Sequence, residues 1–103
     1  MLTVIAEIIC HSEQDFKKVF DSFNNIREQV LQESGCHLYD VHIDHPAVDS
    51  ALHTKVPFSI MMYEKWESMQ HLETHMHSIN MQQHAQATEG AVAHVQMRIL
   101  EAQ

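Results

Sequence analysis

The chain has 103 residues, room for one domain with a modest core and not for two. Its hydrophobic fraction of 45% and charged fraction of 19% are ordinary for a globular protein, and two Gly and two Pro exclude long linkers and low-complexity tails. Six Lys and Arg against fourteen Asp and Glu give a formal charge of −8 at pH 7 with no basic patch, so nucleic acid and anionic membrane surfaces are poor partners.

No apolar run approaches the roughly 20 residues of a membrane helix. The start, Met1 to Glu7, has no basic segment and reaches an acid too soon for a signal peptide. A soluble, cytoplasmic protein is the expectation. Cys10 and Cys36 then read as two free thiols, and they form no C-x-x-C motif.

Leu2 to Cys10 alternates as a strand, with Leu2, Val4, Ala6 and Ile8 on one face and Thr3, Ile5, Glu7 and Ile9 on the other. Ser12 is placed to cap a helix from Glu13 to Gln32, in which Phe16, Val19, Phe20, Phe23, Ile26 and Val30 make one apolar stripe. Gly35 stands where a left-handed cap residue is wanted. A second strand, Leu38 to Asp44, has Tyr39, Val41 and Ile43 on one face. A polar loop runs from His45 to Pro57, broken by its two prolines. Phe58 to Trp66 is the third strand and pairs with the second as an antiparallel hairpin. Ser68 caps a short helix carrying Met69, Leu72 and Met76. A break near Ser78 and Asn80 precedes a second helical piece from Met81 to about Thr88, which Gly90 ends. Ala91 to Ile99 alternates as the fourth strand.

The order β-α-β-β-α-β is the ferredoxin-like split pattern, an α+β fold with one antiparallel sheet and its helices on one face. A solvated second face should be polar at every other position. Here Ile5 and Ile9 oppose Val4 and Ile8, and Met61 and Tyr63 oppose Ile60 and Met62. A second copy packed sheet to sheet removes that apolar surface from water, so a homodimer is expected. The alternative cover is the loop around Asp49 or the chain end.

Several segments resemble antibiotic-biosynthesis monooxygenase domains. They are Met1-Leu2-Thr3-Val4-Ile5-Ala6-Glu7-Ile8, Glu33-Ser34-Gly35-Cys36-His37-Leu38-Tyr39, Glu64-Lys65-Trp66-Glu67-Ser68, His71-Leu72-Glu73-Thr74-His75 and Met97-Arg98-Ile99-Leu100. Within that family the match is to the bacterial quinol monooxygenases. The resemblance spans almost the whole chain and is thinnest between Asp44 and Val56. It implies one domain over residues 1–103, a dimeric α+β barrel, and a pocket in each subunit between sheet and helices. It further implies oxygenation of hydroquinone-like aromatic substrates by O2 with no flavin, metal or other cofactor.

Such chemistry needs a base, a shaped apolar pocket and exclusion of water, because triplet dioxygen reacts slowly with a neutral organic molecule and readily with its anion. The resemblance points to His75 as base or proton shuttle, and an imidazole titrates in the right range. Trp66 shares a strand face with Met62 and Glu64, where its indole can wall an aromatic pocket and donate one hydrogen bond. Tyr39 can supply a phenol to the same cavity, although plain core packing also accounts for it. Glu64 on an apolar face needs a partner and is expected either to orient a His or to pair with Lys or Arg. Close relatives carry a second His where this chain has Asn80, and an aromatic residue is common where it has His84. The second His role is therefore lost or moved to His77 or His84. The expected site is thus His75 and Trp66 for catalysis, with Tyr39, Glu64, Met62, Asn80 and His84 against the substrate.

Ten His raise a metal alternative built on His71 and His75, four apart, with His42 and Asp44 or His84. No recognised ligand spacing supports it, and no metal is expected. A haem-degrading relative would use His75 or His77 as axial ligand, against an acidic surface ill-suited to propionates. A non-enzymatic small-molecule-binding dimer of the same fold is the remaining alternative.

Overall fold

Alternating apolar residues at the start of the chain form β1 (Leu2–Cys10), whose Val4, Ala6, Ile8 and Cys10 are buried. The computed structural model describes residues 1–46 and 51–103, so residues 47–50 of the expected loop, Asp49 among them, lie outside the described residues. The Ser12 hydroxyl accepts from the backbone N–H of Asp15 at 3.1 Å and starts α1 (Glu13–Leu31). That bond satisfies one of the donors a helix start leaves unpaired. The apolar stripe turns Val19, Phe23, Ile26 and Val30 into the core.

Gly35 has the expected left-handed backbone, φ +79°. It lies beyond the helix cap at Gln32 and serves the turn into β2 (Cys36–His42). Its carbonyl accepts from the N–H of Glu67 at 2.8 Å, which ties the end of α1 to the far end of β3 (Ser59–Trp66). β2 begins and ends two residues earlier than expected. Its pairing with β3 opens at Cys36 opposite Trp66, passes a bulge before Leu38 and stops at His42 opposite Met61.

Ser68 caps α2 (Met69–Met76), and Ser78 caps α3 (Ile79–Ala87) by accepting from Met81 N–H at 3.2 Å. That cap starts the second piece at Ile79 rather than Met81. β4 (Val92–Glu101) continues two residues past the expected end and stays in the sheet, so the chain end does not fold over the helix-free face.

The sheet order is β2-β3-β1-β4, antiparallel throughout. One face carries Val4, Ala6, Ile8, Tyr39, Ile60, Met62 and Trp66 into a core closed by the helices. On the other face Ile5, Ile9 and Tyr63 are half-buried and Met61 is exposed. Glu7, Asp40, Lys65 and Arg98 stand among them, so the apolar surface there is interrupted by charge. A second exposed strip was not expected. Val95, Met97 and Ile99 pair with Ile8, Ala6 and Val4 and so face the helix side, yet they stay exposed because the helices stop short of this edge strand.

Candidate functional site

Between the helix side of the sheet and α2 and α3 lies a cavity of about 310 Å³. Ala6, Ile8, Met62 and Glu64 form its floor, Phe23 and Tyr39 give it aromatic walls, and Leu72, His75, Met81 and His84 close it from above. The mouth runs past Met76, Val95 and Met97 at the β4 edge.

His75 reaches this cavity because Ser68 sets the start of α2 about two turns earlier, placing Leu72 and His75 on the inward face. The ring is 2% exposed. Its Nδ1 lies 2.9 Å from Glu33 Oε1, in the turn after α1. The other Glu33 oxygen accepts from Asn80 Nδ2 at 2.8 Å. A carboxylate in that position assigns the ring proton to Nδ1 and leaves Nε2 with a free lone pair. The Trp66 indole packs against the ring at a centroid distance of 4.4 Å, and Tyr39 meets it edge-on at 5.5 Å. Burial pulls the imidazole below its ordinary range, and the bond to Glu33 opposes this.

Glu64 is 7% exposed and its Oε1 accepts from Trp66 Nε1 at 2.9 Å. Burial pushes its carboxyl up to about 7, against a downward pull from the Trp66 bond and with a further push from Glu33. This corrects the expected pairing. The partner of Glu64 is neither a His nor a cation, and the carboxylate that orients His75 is Glu33. Of the two readings of Trp66, cavity wall and core residue at the sheet edge, its position fits the core. Fully buried, it stands behind His75 and Glu64 and is not among the cavity-lining residues.

Of the remaining expected residues, Met62 is on the floor and Tyr39 is on the wall. The Tyr39 hydroxyl lies 4.0 Å from Met81 Sδ, and burial raises the phenol pKa. Asn80 does not line the cavity but holds Glu33 from behind. Of the two candidates for a second histidine, His77 is exposed and bonded to the Glu73 carbonyl, whereas His84 lines the cavity. His84 Nδ1 lies 2.8 Å from Ser22 Oγ and its ring 4.1 Å from the Phe23 ring. Burial, helped by His75, lowers its pKa to about 4. The residues of the metal alternative diverge: His71 bonds the Ser68 hydroxyl at 2.7 Å, and His42 is exposed on β2. Among the described residues no three His, Cys, Asp or Glu side chains converge to hold an ion.

Sequence reasoning missed Glu33 and Ser22 as partners of the two histidines. Ser22 had a legible signal, a polar residue three after Val19 and four before Ile26 on the buried stripe. Glu33 had none, because an acid just past a helix end is common.

A four-stranded antiparallel sheet, helices on one face and an apolar cavity edged by titratable groups together define a ferredoxin-like α+β protein with a candidate small-molecule site. The chain belongs to the antibiotic biosynthesis monooxygenase family, whose family model matches residues 1–89. It is 40% identical over 102 residues to "Probable quinol monooxygenase YgiN" of Escherichia coli K12, covering 98% of this chain and 97% of that protein. The same-named protein of Shigella flexneri matches equally. Among solved structures, PA3566 of Pseudomonas aeruginosa superposes with a TM-score of 0.78 at 22% identity, covering 99% of this chain and 93% of that one. An antibiotic biosynthesis monooxygenase superposes with a TM-score of 0.80 at 19% identity, covering 99% and 98%. These two likenesses are of fold. No helix among the described residues is long and apolar enough to cross a membrane.

Proposed function

We propose that this chain is a cofactor-independent monooxygenase that uses O2 on hydroquinone-like aromatic substrates, working as a cytoplasmic homodimer. The observation that carries the reading is His75 on the wall of an apolar cavity with its Nδ1 held by Glu33. That arrangement leaves Nε2 as a neutral base in a site that disfavours water.

In this mechanism Nε2 takes a phenolic proton, and the resulting anion gives one electron to O2. The aryloxyl radical and superoxide combine, forming a carbon–oxygen bond. Loss of the ring hydrogen and cleavage of the O–O bond leave one oxygen on the ring. The other departs as water, carrying the ring proton and the proton His75 returns. Hydroquinone plus O2 gives hydroxyquinone plus water, and the substrate itself supplies the electrons. Tyr39 and Phe23 fit a flat ring, and His84 across the cavity can bond its second oxygen. Glu64, whose carboxyl burial raises to about 7, is a second group beside Tyr39 that can exchange a proton. Haem degradation fits less well, since none of the described cavity-lining residues is a Lys or Arg that would meet propionates.

The test is oxygen uptake with menadiol under 18O2, corrected for spontaneous oxidation. Uptake should exceed the blank, with one 18O in the product. His75→Ala should lower the rate about a hundredfold or more, the range typical of a lost general base. A rate equal to the blank, with menadione still bound, would make the protein a binding module instead.

A further inference from the structure

We propose that Glu33 relays protons between His75 and bulk water, so that the cavity base is reset without water entering the cavity. The inference rests on the oxygenase reading for its substrate and on the geometry of Glu33 for its substance. His75 faces inward and is 2% exposed, whereas the Glu33 side chain is 16% exposed. Glu33 also lines an open depression on the outer surface, together with Ser34, His71, Glu73, His77 and Ser78. The 2.9 Å bond between them therefore crosses the wall that separates an apolar interior from a wet exterior. A carboxylate needed only to hold a ring could be as buried as the ring. In Glu33 the two oxygens divide the work, since Oε2 is fixed by Asn80 while Oε1 stays aimed at Nδ1.

The steps balance. The substrate hydroxyl gives its proton to Nε2, and Nδ1 gives its proton to Glu33 Oε1. The ring is left neutral in the opposite tautomer, and Glu33 can pass its proton to water in the depression. When the O–O bond breaks, Nε2–H protonates the leaving oxygen, and Nδ1 recovers a proton from Glu33, which has taken one back from that water. Other titratable groups face the pair from each side. They are Cys36 and Tyr39 on β2, Glu64 on β3, His84 on α3, His71 and Glu73 on α2, and His77 at the end of α2. His71, Glu73 and His77 line the depression that receives the proton. Glu33 acts through His75 and is a positioning and relay residue.

The discriminating variants are Glu33→Gln and Glu33→Ala. Gln keeps an oxygen for Nδ1 but cannot carry a proton. A relay therefore predicts that both variants turn over menadiol about a hundredfold more slowly. Formate, entering the open depression, should restore Glu33→Ala and leave Glu33→Gln unchanged. A merely structural Glu33 predicts wild-type turnover in Glu33→Gln, and that result would overturn the proposal. A readout independent of turnover is hydrogen exchange at the His75 ring followed by 15N spectroscopy. Exchange should slow about tenfold or more in Glu33→Gln, and unchanged exchange refutes the relay. If the wild-type protein does not oxidise menadiol, the oxygenase reading fails and the exchange rates alone decide the relay.

Discussion

Two buried groups on opposite walls of the cavity set a test of how the interior handles charge. Glu64 is raised from 4.5 to about 7, so the folded state holds its proton longer than the unfolded chain, and stability falls as pH rises between those values. His84 is lowered from 6.5 to about 4, so the unfolded chain binds the extra proton first, and stability rises with pH across that window. The two slopes oppose each other in the wild-type protein. Glu64→Gln keeps an acceptor for Trp66 Nε1 and removes one slope. Urea titrations should find the variant gaining on the wild type from pH 4.5 to 7, levelling off at about 3 kcal/mol. A pH-independent difference would mean that this carboxyl is not held neutral by its surroundings. The sequence made such residues visible, since Glu64, Trp66 and His75 are polar or polar-tipped side chains on apolar faces. Their partners were less visible. Glu64 and Trp66 are two apart on one strand and share a face, so their bond was within reach of the pattern. The bond of His75 to Glu33 joins residues 42 positions apart, and no local period reports it.

At the scale of elements, periodicity placed every helix and strand, and the corrections came from caps and pairing. A serine hydroxyl moved the start of α3, and the bulge before Leu38 moved β2, because both depend on hydrogen bonds that hydrophobic spacing does not encode. Gly35 is where two elements constrain each other most tightly. Its φ of +79° disfavours any side chain, and a Cβ there would collide with the His71 ring of α2. Gly35→Ala should cost about 1–2 kcal/mol for the backbone alone, with more from the displaced ring. In the double variant Gly35→Ala, His71→Ala the clash with the ring is removed while the contact with the Cβ of residue 71 and the backbone penalty stay, giving a coupling above about 0.5 kcal/mol in thermal melts. Additive losses would show that α2 already yields at this contact. Because Glu33 lies two residues before Gly35, the single variant should also lower turnover.

For the whole molecule, the proposed homodimer has two surfaces on which a second copy could pack. Alternation in the strands makes the sheet apolar on both faces, and the helix-free face has Ile5, Ile9, Met61 and Tyr63 set among charges. The exposed strip of Val95, Met97 and Ile99 on the helix side competes with it, and alternation alone could not reveal that strip because it does not say how far the helices reach. A stable interface buries about 800 Å² on each partner, more than the few side chains of an edge strip offer and within the span of a four-stranded face. Opposite charges at Glu7, Lys65 and Arg98 also allow two copies of that face to pair across a twofold axis. Sedimentation at micromolar concentration should therefore give about twice the chain mass of 11.9 kDa. Ile5 is flanked by Tyr63 and Arg98 at the centre of the face, so Ile5→Glu should yield monomers. Val95→Glu, on the other side, should leave the dimer intact. The reverse pattern would move the interface to the cavity mouth, and a monomeric wild type would leave the apolar residues of this face without a reason.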